Sequence, residues 1–294
     1  MRFAPRVRFS RRRGIKLALA SVWARYLHGG TGTPPNPGLP SAIPPRDSQA
    51  PTGSQFAESV AHLDKPQREQ AILGQLANGN LPGFLRELVP IKLSALHAGR
   101  GILAATIFVM PEYLAVGSDS DFLRIPMNLY TATALVQRFG CVLPTKKIVD
   151  AIYGCSPARF TPQPLAPGPQ MTSTEYYRRH NAMIDQQSER RGLPLGALAA
   201  GHKKDVVLTN RLASNPGRIA IYGWHRAAGD PIQPLSTVHP ASYADYSHGI
   251  RLVAGMALVE GKFQPVTDIL QDPILARVLS DEGTIRVPQT FSGA

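Results

Sequence analysis

The sequence predicts an α+β protein. Helical segments with capping residues and 3.6-residue apolar spacing crowd the stretch from Asp64 to Gly192, and from about residue 203 the chain turns to short β-rich runs broken by Asn-Pro-Gly and Gly-Asp-Pro. With 294 residues, 43% of them apolar, there is ample material for one sizeable core.

The amino terminus is set apart by charge. Arg2, Arg6, Arg8, Arg11, Arg12, Arg13, Lys16 and Arg25 fall within residues 1–30, where no acid occurs. They are eight of the 32 basic residues, so the remaining 24 face 20 acids and the overall +12 shrinks to +4. That balance argues against a nucleic-acid-binding body. The basic stretch, the short apolar run Leu17–Ala24 and the small residues after it have the layout of an export leader, and "SRRRGIK" resembles the twin-arginine export motif with Gly14 in place of a large apolar residue. Eight apolar residues cannot span a bilayer, which needs about twenty. The expected organisation is a leader over 1–28, a Pro/Gly-rich tether over 29–55 and one α+β domain over 56–294.

Along the domain, Asp64 and Pro66 start a helix that ends at Asn78 or Gly79, and "LPGFLREL" reads as a shorter helix before Pro90. "GILAATIFVMPEYLAVGSDSDFLRIPM" reads as a long strand, a bend at Pro111 and a hairpin turning through Asp119 and Asp121. Two helices follow, one ending at Gly140 and one from Pro144 to Gly154 with Thr145 near its start. Their helix-turn-helix outline carries only Lys146 and Lys147 on the second member, which favours core packing over DNA reading. Cys141 and Cys155 flank this second helix. They leave two options open: a disulfide in an oxidising compartment, or a Cys141 thiolate acting with a histidine as in a Cys-His hydrolase. A proline-rich loop leads into a charged helix capped by Ser173 or Thr174. Four strands then follow in "KKDVVLT", "GRIAIYGWH", "PIQPLSTVH" and "GIRLVAGMALVE".

Histidines mark the ends of these strands: His202, His225, His239 and His248. Strand ends share a rim, and a histidine there exchanges protons near neutrality when a carboxylate orients it. His225, His239, Asp245 and His248 are therefore the candidate catalytic residues, with Asp205 a second orienting carboxylate. His239, Asp245 and His248 also form the ligand set expected of a divalent metal such as zinc. Lys204, Arg251 and Trp224 are the candidate substrate contacts for an envelope polymer or small anion. Ser247 reads as a turn residue, because adjacent strand residues point to opposite faces.

"SHGIRL", residues 247–252, resembles the "SHGCIRL" signature of L,D-transpeptidases, with the nucleophilic cysteine missing. The resemblance covers six residues and implies an envelope compartment, not transpeptidation. More broadly, "PEYLAVGSDSDFLRIPM", "FGCVLPTKKIVDAIY", "AGHKKDVVLTNRL" and "DYSHGIRLV" are similar to a bacterial protein family with no assigned activity. The expectation is an exported envelope hydrolase built on a His/Asp cluster, with a non-catalytic envelope binding or structural protein as the competing class.

Overall fold

A computed structural model describes residues 43–286, all within one compact unit spanning Asn36–Ala294. The expected leader and the first part of the tether lie outside the described residues. The packed chain begins before residue 56. Ile43 is buried in the core, and Arg46 donates to the Asn80 side chain and to the carbonyls of Gly117 and Ala50. Helix α1 (Gly53–Ser59) starts on a reciprocal capping box between Thr52 and Gln55.

Helix α2 (Lys65–Ala77) starts at Asp64 with the same device, Gln67 closing the box, and buries Ile72 and Leu76. The expected second helix is a single 3-10 turn, Gly83–Arg86. Beyond it comes a strand that sequence reasoning passed over, β1 (Val89–His97). It pairs antiparallel along its whole length with β2 (Gly101–Val109). The chain bends at Pro111 and forms the small hairpin β3 (Ala115–Gly117) and β4 (Phe122–Arg124). Helix α3 (Leu129–Phe139) is capped by Asn128 and stops at Gly140, whose φ of 63° is a left-handed conformation suited to glycine. After β5 (Cys141–Val142), helix α4 (Lys146–Cys155) is capped by Thr145. Strand β6 (Ala158–Arg159) precedes α5 (Thr174–Arg191), which Ser173 caps.

The later strands are β7 (Ala199–Ala200), β8 (Lys204–Val206), β9 (Ile221–Ala227), β10 (Asp230–Ser236), β11 (His248–Gly249), β12 (Val253–Ala254), β13 (Met256–Val259) and β14 (Lys262–Pro265). Two short helices, α6 (Val266–Gln271) and α7 (Ala276–Leu279), complete the described chain. The fold is α+β, as the sequence predicts.

Strand β2 organises the larger sheet. One edge is covered by β1 and the other by β13 and β12 in turn, with β14 beyond β13 and β5 beyond β12, all antiparallel. The second sheet runs β10-β9-β8-β11, and only the β8 and β11 pair is parallel. Helix α4 packs on β1 and on β9, so it wedges between the sheets. The run "GIRLVAGMALVE" is not one strand: β11 belongs to the second sheet, whereas β12 and β13 belong to the first. The chain changes sheets over residues 250–252, and Gly255 marks the step from β12 to β13 within the first sheet: its amide donates to Gly140 O, and a Cβ there would lie 2.3 Å from that oxygen.

Both cysteines are free, so of the two options the disulfide is not the one the structure takes. Cys141 is buried on β5 and Cys155 is exposed at the end of α4. No helix among the described residues is long and apolar enough to cross a membrane.

Candidate functional site

The parallel pairing of β8 with β11 builds the site. It sets His248 opposite Lys204 and Gly249 opposite Asp205, joining "HKKD" to "DYSHG" from some forty residues further on. Lys204 N donates to Ser247 O at 2.7 Å, and the Lys203 ammonium donates to Tyr246 O at 2.6 Å. Gly249 is required by close approach: a Cβ there would stand 2.6 Å from the Tyr113 ring and 2.8 Å from Lys203 Cβ.

Asp245 is fixed by a local turn. Its Oδ1 accepts from Ser247 N (2.8 Å) and Ser247 Oγ (2.6 Å), and its Oδ2 accepts from Tyr243 Oη at 3.0 Å. Burial pushes this carboxyl upward, but His248, the Ser247 hydrogen bonds and Lys204 outweigh it and hold it below the usual carboxylate range. His248 lies beside it with no exposed surface. Neither ring nitrogen has a hydrogen-bond partner, and Nε2 stands 4.0 Å from Asp245 Oδ2. Burial drives this imidazole down to about 4, helped by Lys204, His239 and Lys203 and opposed by Asp245, so it is neutral at neutral pH beside an ionised carboxylate.

The cover of the site is aromatic. His239 and Tyr243 stack at 4.3 Å, both half-buried, with their rings 6.2 and 5.7 Å from that of His248. Burial lowers His239 as well. On another side the half-buried Lys204 ammonium sits 5.1 Å above the Trp224 ring, and burial lowers its pKa. Trp224 holds a left-handed backbone (φ 58°), and His180 of α5 faces both it and Tyr246.

Of the predicted residues, the structure gathers His239, Asp245 and His248, with Lys204 and Trp224 adjoining. It corrects others. His225 donates from Nε2 to Asp150 Oδ1 at 3.0 Å and stacks on Tyr153 at 4.7 Å, so it belongs to a different cluster with Tyr222 and Lys146. Arg251 is fully buried and donates to the carbonyls of Met110 (2.8 Å) and Ala199 (2.6 Å). It ties the β2 end to β7 and cannot hold a substrate. Asp205 orients no histidine; it accepts from Tyr113 Oη at 2.8 Å, and burial raises it to about 6. Ser247 is committed to Asp245. The Cys141 thiol is pushed up to about 12 by burial, the opposite of an activated thiolate, so the Cys-His alternative falls. Among the described residues no group of three or more His, Cys, Asp or Glu side chains could hold a metal ion, so His239, Asp245 and His248 do not fit zinc.

Sequence reasoning missed a buried ionic layer. Glu112 accepts from Arg124 Nε at 2.8 Å and lies 2.9 Å from His202 Nε2, all three buried. Burial raises Glu112, but His202 and Arg124 overcome it and hold the carboxyl well below its ordinary value. An isolated acid in "IFVMPEYLAV" and an isolated base in "FLRIPM" were the available signal. Lys203, fully buried and pushed down to about 7 by desolvation, had none.

No family model matches this chain, and no curated protein or solved structure matches it.

Proposed function

We propose that this protein is an exported hydrolase of cell-envelope material in which His248, paired with Asp245, acts as the proton-transferring group. The observation that carries the reading is His248 itself: a histidine with no exposure and two unpartnered ring nitrogens, beside an ionised carboxylate. Each unsatisfied buried nitrogen costs about 1–3 kcal/mol, a burden retained at sites that work on protons. Neutral at working pH, His248 takes a proton from water as it attacks a carbonyl carbon and returns it to the leaving group. A small approach of Asp245 Oδ2 from its present 4.0 Å steadies the imidazolium. The Lys204 ammonium balances the negative charge on the attacked oxygen, and half-buried His239 connects the site to solvent. The export leader expected over residues 1–28 supplies the compartment.

The full burial of His248 behind His239 and Tyr243 favours a second reading, a non-catalytic binding protein of the same compartment. Dye release from labelled peptidoglycan sacculi separates the two. Hydrolysis by the wild type that falls about 100-fold or more in His248→Gln and Asp245→Asn supports the acid-base reading. Sacculus binding without dye release supports the second. Equal hydrolysis by all three proteins refutes the role of His248. Export is tested by fusing residues 1–28 to a phosphatase active only outside the cytoplasm; an inactive fusion sinks that part.

A further inference from the structure

A cleft of about 860 Å³, within the range of small-ligand sites, opens between α5, the β3–β4 hairpin, the start of α1 and residues 193–197. Its lining contains none of His239, Asp245 or His248. Arg124 is part of that lining although only 4% exposed. Its Nε donates to Glu112 (2.8 Å), and its Nη1 donates to Asn181 Oδ1 (3.0 Å) and Asp185 Oδ1 (2.7 Å). These bonds fix the guanidinium plane. Its Nη2 donates to no described atom, and Arg124 lines the cleft, which leaves this nitrogen as the remaining donor of the guanidinium. A guanidinium held rigid with one nitrogen unused is preorganised for an acceptor oxygen.

The rest of the lining says what carries that oxygen. Arg178 and Arg179 on α5 are exposed, with no ion-pair partner among the described residues. Asp185 keeps 40% of its side chain exposed, and the lining as a whole holds more acids than bases. Phe84 and Phe122 stand edge to face at 5.2 Å, with the Arg124 guanidinium 4.8 Å from the Phe122 ring centre, and form the apolar part of the wall. A bare anion is repelled by the acids, and an apolar molecule leaves Arg178 and Arg179 unanswered. Both signs of charge, a donor for a neutral carbonyl and an apolar wall suit one compact class of molecule.

We propose that this cleft binds a short peptide carrying a free carboxylate and an ammonium group. The carboxylate meets Arg178 and Arg179, a backbone carbonyl accepts from Arg124 Nη2, the ammonium meets Asp185, and a side chain lies on Phe84 and Phe122. The inference goes beyond the hydrolytic reading and does not rest on it, since binding is measured without turnover.

The test titrates the full chain by calorimetry with an equimolar pool of free tripeptides, with the same pool N-acetylated and C-amidated, and with inorganic phosphate. Saturable binding of the free pool is expected, weakened about tenfold or more by blocking, by the surface double variant Arg178→Ala/Arg179→Ala and by Asp185→Asn, and unchanged by His248→Gln. Absence of saturable binding by the free pool overturns the proposal. So does equal binding of the blocked pool, equal binding by the surface variants, or complete displacement of the pool by phosphate, which marks a bare anion site.

Discussion

Replacing His248 with Asn removes a titrating group from the interior but keeps a short polar side chain, and the effect on stability depends on pH in a calculable way. The imidazole moves from 6.5 to about 4, chiefly through burial. Between those values the unfolded chain takes up a proton that the folded chain refuses. The stability associated with the neutral ring is therefore intact above 6.5 and is lost as pH falls through 6.5 towards 4. At 1.36 kcal/mol per pKa unit the full loss is about 3 kcal/mol. Roughly 2 kcal/mol of it is expressed at about pH 5, and almost none at about pH 7.5. Urea unfolding of wild type and His248→Asn at both pH values, followed by circular dichroism, gives a double difference in which shared titrations cancel. Asp205, which titrates in the same window with the opposite sign, is one of them. The variant is expected to gain about 2 kcal/mol on the wild type at the lower pH. A difference between the two proteins constant to within about 0.5 kcal/mol would refute the dry environment assigned to His248.

Asp205→Asn shows the reverse linkage. The carboxyl, raised from 3.8 to about 6, adds stability as pH falls, so the variant loses about 1 kcal/mol against wild type between about pH 7.5 and pH 5 in the same assay. Gly255→Ala drives a Cβ to 2.3 Å from the Gly140 carbonyl oxygen, backbone against backbone, and a loss of about 1–3 kcal/mol is expected in thermal melts. Ile107→Ala on β2, with no exposed surface, costs about 2–5 kcal/mol by urea unfolding. A coloured thiol reagent titrates Cys155 promptly and Cys141 only in denaturant; two fast thiols would contradict the buried position of β5.

What was legible in the sequence was what is decided locally. Asp64, Thr145 and Ser173 cap their helices through bonds from the residue three ahead, so each start could be read from a few letters; Asn128 caps its helix in the same way. His239, Asp245 and His248 lie within ten residues and meet through one turn. Lys203 and Lys204 join them only through the parallel β8 and β11 ladder, which no local pattern encodes. His225 was grouped with the other histidines because strand ends were expected to share one rim, whereas Tyr222 and His225, three apart on a strand, both reach Asp150. The left-handed residue Trp224 between them turns both towards Asp150. Arg251 looked like a substrate contact because its real partners are backbone carbonyls distant in sequence. β1 was missed because Pro90 interrupts its start, although its alternation of Ile91, Lys92, Leu93 and Ser94 was visible.

The central position of β2 has a consequence during synthesis. Its first edge is satisfied at once by the β1 hairpin, but Val109 waits for Val253, and Ala105 and Thr106 wait for Val259 and Leu258, roughly 140 residues or more downstream. At 5–20 residues per second the nascent chain carries an open, β-branched, uncharged strand edge for about ten seconds or longer. Such an edge recruits strands from neighbouring chains. A fragment ending before residue 253 lacks the covering strands, and it is expected in inclusion bodies or bound to a chaperone. The last seventh of the protein therefore determines whether the first half stays dispersed.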